Sequence, residues 1–162
     1  MTGIYVDLDG VLANFTEMYW EVTGEDFSEI EDSEVRWGKL KGKEEGFYRG
    51  ILPYLGYEQF MKELEAKSLR HRFPLRVLTA LPTVIEFDTA AQEKLDWCRQ
   101  YLNLVFPVLI VKSSQEKQFV CNQGDILIDD NPRNVAQWMN CGGIAIRHLD
   151  FQDTLIQLGE LL

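Results

Sequence analysis

The chain has 162 residues, and its 16 Lys and Arg against 26 Asp and Glu leave a net charge of −10. An acidic excess of that size excludes the basic face that a nucleic-acid polymer or an anionic membrane would require, yet a local cation can still hold a small phosphorylated ligand. Hydrophobic content of 46% and charged content of 26% exclude disordered and fibrous classes, and the length suits one core with a small insertion.

In chain order, Gly3 to Leu8 is a β-rich run that ends in acidic residues and Gly10, the pattern of a buried strand followed by a turn. Only Thr2 and Gly3 lie between the initiating Met and this apolar run, so no charged leader or signal peptide is expected. From Phe15 to Pro53 the alternation stops. This stretch is rich in Glu, Gly and aromatics (Trp20, Phe27, Trp37, Phe47, Tyr48) and carries no strand signal. It is predicted to be a helical insertion, a lid over residues 15–53, with residues 1–14 and 54–162 forming the core. Its charge run Glu25 to Glu34 and its positive stretch Arg36, Lys39, Lys41 and Lys43 are expected to be solvated faces.

Four more strand-like runs follow: Leu75–Thr79, Val108–Val111, Ile126–Ile128 and Gly143–Ile146. Helical patterns lie between them. Thr89–Tyr101 places Leu95, Cys98 and Leu102 at helical spacing. Asn131-Pro132 opens a helix to Met139, with Asn131 as N-cap and Pro132 at the first helical position. Asp150–Leu158 closes the chain. Nearly all-apolar strands alternating with helices predict an α/β fold with a doubly wound parallel sheet covered on both faces.

Cys98, Cys121 and Cys141 are too scattered for a disulfide framework or a paired zinc site, and free thiols in a reducing cytoplasm are expected. The uncharged stretch Tyr101–Val111 is interrupted by Pro107 and is too short to span a bilayer.

In an open α/β sheet, ligands bind beyond the carboxyl ends of the strands. Asp7 and Asp9, Thr79, Lys117, and Asp129 and Asp130 all fall at or after such ends. Several carboxylates at one edge repel one another and raise each other's pKa. A divalent cation relieves that conflict, and a hard oxygen donor set without His or Cys points to magnesium.

These residues resemble the haloacid dehalogenase superfamily of phosphohydrolases. Asp7-Leu-Asp9-Gly10-Val11-Leu12 is similar to its first motif, Val77-Leu78-Thr79-Ala80 to its second, Lys117 to its third and Asp125-Ile-Leu-Ile-Asp129-Asp130 to its fourth. The segments Asp7–Phe15, Phe47–Leu64 and Leu78–Leu102 further resemble the 5′(3′)-deoxyribonucleotidase family. That resemblance implies a magnesium-dependent phosphomonoesterase. Asp7 would be the nucleophile that forms an aspartyl-phosphate, and Asp9 would be the general acid and then base. Thr79 and the backbone N–H of Ala80 would hold phosphoryl oxygens, and Lys117 would neutralise charge during transfer. Asp7, Asp130 and the backbone carbonyl of Asp9 would bind the metal, with Asp129 ligating it or orienting the others. Phe15, and secondarily Trp37, would stack on the base of a nucleoside monophosphate, at about 1–3 kcal/mol per stacked ring.

Blander readings stand beside these. Thr79 alone suits a strand-end cap, and Lys117 suits a solvated lysine. Most of the lid aromatics suit a small core of their own. His71 and His148 are expected to be surface or capping residues. The alternative activities are a phosphatase for another small metabolite such as a sugar phosphate, a phospho-accepting receiver domain, or a binding module without catalysis.

Overall fold

The computed structural model describes residues 2–102 and 106–162, so the middle of the apolar stretch Tyr101–Val111 lies outside the described residues. Among these, five parallel strands form one sheet in the order β3-β2-β1-β4-β5: β1 (Ile4–Val6), β2 (Leu75–Ala80), β3 (Val108–Val111), β4 (Ile126–Asp129) and β5 (Ile144–Arg147). Central β1 pairs on one side with β2, Ile4 opposite Leu75 and Val6 opposite Val77. On the other side it pairs with β4, Ile4 opposite Ile126 and Val6 opposite Ile128. All three β1 residues are buried, as a strand covered on both faces requires.

The period-2 alternation separates two cores. Ile4, Val6, Val77, Ile126 and Ile128 point to a large cluster that also takes Phe60, Met61 and Leu64, Trp97 and Cys98, and Leu158. These come from α4 (Tyr57–His71), α5 (Ala90–Tyr101) and α7 (Phe151–Leu161). Tyr5, Leu78 and Leu127 point the other way onto Trp138 of α6 (Pro132–Asn140), with Tyr5 and Trp138 edge to face at 5.2 Å. Helices on both faces make the sheet doubly wound. The longest helix, α4, occupies a stretch for which the strand signals above supply no element.

Asn131 caps α6 as expected, accepting from the Arg133 N–H at 2.9 Å, with Pro132 in the first turn. The stripe of α5 differs from the expected one. Its buried residues are Ala90, Glu93, Lys94, Trp97 and Cys98, whereas Leu95 is only half-buried. The i, i+3, i+4, i+7, i+8 spacing is that of an inward face, and two of its five members are charged.

Residues 15–53 hold α1 (Phe15–Thr23), a 3₁₀ turn Phe27–Glu29, α2 (Ser33–Gly38) and α3 (Phe47–Gly50). The ends of this segment meet where Ala13 bridges Pro53 and the Asn14 N–H donates to Leu52 O at 2.9 Å. Its interior side chains Phe15, Tyr19, Leu40, Phe47 and Tyr48 belong to the same apolar cluster as the large face of the sheet. Of its basic residues, Arg36 lies 4.3 Å over the Phe27 ring and Lys39 pairs with Glu25 at 2.5 Å, so only part of that stretch is simply solvated. His148 is buried, which excludes the surface half of the expected surface or capping role. Its Nδ1 lies 2.8 Å from Thr154 Oγ1, and its ring packs beside the stacked rings of Phe60 and Phe151.

Candidate active site

The strand order reverses direction between β1 and β4, so the carboxyl ends of these two strands flank a crevice. The ladder carries one step past β1, where the Asp7 N–H donates to Ile128 O at 2.9 Å. Gly10 then turns the chain at φ +81°, and Leu8 O accepts from the N–H groups of Leu12 and Ala13. A side chain at Gly10 would run into the Asp130 carboxylate as well as the strained dihedral, so the close approach of the two loops requires glycine.

Lys117, on a 3₁₀ segment Ser114–Val120 after β3, reaches into this crevice. It is 2% exposed, which excludes the solvated reading. Its Nζ lies 2.7 Å from Asp7 Oδ1 and 2.8 Å from Asp129 Oδ2. Asp7 Oδ1 also accepts the Leu8 N–H at 2.7 Å, while Asp7 Oδ2 has no hydrogen-bond partner among the described residues. Asp129 has both oxygens engaged: Oδ1 accepts from the Asn131 N–H and Oδ2 from Asn134 Nδ2, each at 2.9 Å, in addition to Lys117. Asp130 stands beside them at the exposed rim.

A second arrangement adjoins the first. Lys94 of α5 is 1% exposed. Its Nζ contacts Asp9 Oδ2, donates to Thr79 Oγ1 at 3.0 Å, and sits 4.3 Å from the centroid of the Tyr48 ring. Neighbouring Glu93 is fully buried. It accepts from the N–H groups of Gly46 (2.7 Å), Tyr48 (2.9 Å) and Arg49 (3.3 Å) at the start of α3. Trp97 Nε1 adds a bond to Ile51 O at 2.7 Å. One face of α5 therefore grips residues 46–51 and the strand-end residues together.

The structure thus brings Asp7, Lys117, Asp129 and Asp130 into one group, and Asp9 and Thr79 into another through Lys94. Ala80 follows Thr79 at the end of β2. Phe15 is 7% exposed, with the rings of Tyr19, Phe27, Trp37, Phe47 and Tyr48 all within 6.4 Å, and half-buried Trp37 is 5.7 Å from it. Both belong to the aromatic interior of residues 15–53. Lys94 and Glu93 are the residues that sequence reading misses. The available signal was their place on the inward stripe of α5, where an unpaired charge would be costly.

Electrostatics argue for a cation here. Burial drives Asp7 well above the ordinary carboxylate range, Lys117 opposes this, and the charges of Asp129, Asp130 and Asp9 reinforce it. Asp130 is pushed up to about 6, by desolvation first and by Asp129 second. Burial would lower Lys117, but Asp7 and Asp129 overcome that and hold it above its ordinary value. Fully ionised, the four carboxylates Asp7, Asp9, Asp129 and Asp130 would face two ammonium groups and leave two negative charges for a cation to match. One oxygen each of Asp7, Asp129 and Asp130 lies within 4.8 Å of the others, a hard donor set suited to a divalent ion.

Residues 1–149 match the family model described as 5′ nucleotidase, deoxy (pyrimidine), cytosolic type C protein (NT5C). The chain belongs to this family. It is therefore a haloacid dehalogenase-type hydrolase of the nucleotidase class, which displaces the receiver and binding-module alternatives. The fold is similar to that of a hydrolase from Streptococcus pneumoniae TIGR4, with TM-score 0.57, 12% identity and 97% of each chain covered. It is also similar to a protein described as a haloacid dehalogenase-like hydrolase from Burkholderia xenovorans LB400, with TM-score 0.56, 13% identity and 99% of each chain covered. No curated protein matches the NT5C-family chain in sequence.

Proposed function

We propose that this NT5C-family hydrolase is a magnesium-dependent phosphomonoesterase acting on nucleoside or deoxynucleoside monophosphates through an aspartyl-phosphate. The observation that carries the reading is the Asp7–Lys117–Asp129 ladder beside Asp130, in which Asp7, unlike Asp129, keeps an oxygen free of hydrogen bonds among the described residues. Magnesium, held by Asp7, Asp130 and the Asp9 carbonyl, would keep the Asp7 carboxylate ionised and screen the incoming phosphate.

The remaining steps belong to the chain's own groups. Asp7 Oδ2 attacks phosphorus as the ester P–O bond breaks, and the leaving oxygen takes a proton from Asp9. Water then attacks the phosphoryl group, gives its proton to Asp9 and releases Asp7. Thr79 and the Ala80 N–H hold phosphoryl oxygens, and Lys117 balances the charge that moves between Asp7 and the transferred group. Asp129, whose oxygens accept from three donors, orients Lys117. Residues 15–53 form a cap over the strand ends and close the site on the leaving group. Of the two candidate rings for a base, Trp37 packs on Phe15 and Phe27, whereas Phe15 packs on five others and has less surface to offer. That packing is also the observation that favours the second reading, a phosphatase of another small monoester such as a sugar phosphate. The compartment is taken as cytoplasmic; no helix among the described residues is long and apolar enough to cross a membrane.

The test is phosphate release from a panel of deoxyribonucleoside, ribonucleoside and sugar monophosphates, with magnesium and with chelator. Magnesium-dependent release favouring nucleotides is expected, and Asp7→Asn should fall to the uncatalysed background while keeping its circular dichroism. Turnover by Asp7→Asn would remove the aspartyl-phosphate. Release confined to sugar phosphates would replace the substrate class.

A further inference from the structure

The geometry points to a role for Lys94: we infer that it is a positioning residue for phosphoryl transfer. It acts through Thr79 and Asp9 and does not itself touch the phosphate. The inference rests on the phosphomonoesterase reading above. An ammonium group carries three N–H donors and no acceptor. In Lys94 the three directions are taken up by Asp9 Oδ2, Thr79 Oγ1 at 3.0 Å and the face of the Tyr48 ring at 4.3 Å. With 1% of its surface in contact with solvent, the group has no fourth direction open to a ligand.

The consequences fall on the two partners. Thr79 is fully buried, and Lys94 is its one side-chain hydrogen-bond partner among the described residues. A hydroxyl has one hydrogen and two lone pairs. Because Lys94 can only donate, the Thr79 oxygen accepts there, and its hydrogen is turned away from Lys94 and left for another acceptor. Thr79 is thereby fixed as a donor, the polarity that a phosphoryl oxygen needs. Ala80, the next residue, offers no side-chain donor to share that task. Asp9 has Oδ2 pinned on the Lys94 side, so Oδ1 is the oxygen left to face the leaving group.

Lys94 is itself held in register. Glu93, adjacent on the same buried stripe, accepts three N–H groups from residues 46–49, and Trp97, one turn further on, bonds Ile51. Lys94 cannot slide along the site without breaking these bonds.

The experiment is a double-mutant cycle on Lys94→Met and Thr79→Val, with steady-state kinetics on the best monophosphate of the panel and magnesium in excess. A misplaced acid and hydroxyl should lower kcat by on the order of 100-fold, with KM changed less than about threefold. Thr79→Val should lower kcat/KM on the order of 10-fold, the loss of one charged hydrogen bond. The double variant should be no worse than Lys94→Met within about threefold, since Thr79 has no fixed hydrogen to lose once Lys94 is gone. Multiplying losses would overturn the inference and make Lys94 an independent packing or phosphate-binding group. Where Lys94→Met does not fold by circular dichroism, Lys94→Arg goes through the same cycle. Where the wild type turns over nothing, the cycle is read by calorimetry on inorganic phosphate with magnesium. Coupled losses of affinity would then uphold the positioning role although the esterase reading had failed, and additive or absent losses would end it.

Discussion

The two buried lysines of the site have the same chemistry and different attachments. Lys117 sits on a short 3₁₀ segment directly after a strand, between two carboxylates that are 6% and 0% exposed, and all its partners come from the strand ends. Lys94 sits one turn into a long helix, against a carboxylate whose side chain is 26% exposed, a hydroxyl and an aromatic ring of the 15–53 segment. The Lys117 half is wired within the sheet, whereas the Lys94 half is wired to the segment above it. The difference separates what the sheet holds from what the 15–53 segment can influence. The surroundings of Asp7 are fixed by the sheet, and the disposition of Asp9 and Thr79 depends on how α5 is seated.

The sharpest way to break this contrast is to remove each lysine's charge and compare stability. Lys117→Met leaves two buried carboxylates facing each other without a cation, and breaking such a pair costs about 3–5 kcal/mol. Urea unfolding without metal should show a loss in that range, partly recovered on adding magnesium. Lys94→Met leaves Asp9 with a route to water and should cost clearly less. Equal losses would mean that the two halves are not energetically distinct.

A smaller effect is expected where α5 meets residues 46–49. Glu93→Gln keeps the shape and one acceptor oxygen but exchanges a carboxylate for a neutral amide under three N–H donors. A loss of about 1.5–3 kcal/mol is expected. Hydrogen exchange should speed up at the amides of Gly46, Tyr48 and Arg49 and stay unchanged at the Asp7 amide, which is bonded within the sheet. Faster exchange at Asp7 would show that residues 46–49 and the strand ends open as one unit.

The same contrast explains what could be read from the sequence. The sheet and the Lys117 half were legible because strand-end acids announce themselves: apolar runs terminate in Asp7 and Asp129, and Lys117 follows a strand in the order of the superfamily's motifs. The Lys94 half was not. Glu93-Lys94 in a helix reads as an ordinary solvated pair, and apolar Leu95 draws the predicted stripe one position away from the real one. Only the joint spacing of Ala90, Trp97 and Cys98 would have placed two charges inside. Likewise α4 carries Glu, Lys and Arg densely enough to hide its Phe60-Met61-Leu64 face. The aromatics of residues 15–53 were legible as a cluster, but sequence could not tell a ring packed on five others from one with a free face.

The smallest expected effect probes the rear of the Lys117 half. The His148 N–H donates to Asp129 O at 2.9 Å, while its ring is buried against Phe60 and Phe151 and bonded to Thr154. Burial lowers its pKa, against the opposing charges of Asp150 and Asp153. The folded state therefore binds a proton less readily than the unfolded state, whose histidine titrates near about 6.5. Stability from this group is complete at pH well above that value and declines as pH falls through it, by at most about 1.4 kcal/mol per pH unit. Asp7 and Asp130, held above their ordinary values, bind protons more readily when folded and push the other way in the same range. The informative quantity is accordingly a difference. Between about pH 7.5 and pH 5.5, one unit above and one below the unfolded histidine value, the unfolding free energy of wild type should fall relative to that of His148→Gln, which keeps a polar group near Thr154 but cannot titrate. Parallel pH profiles for the two proteins would mean that His148 is free to charge where it stands, and that the back of the Asp129 strand tolerates a cation.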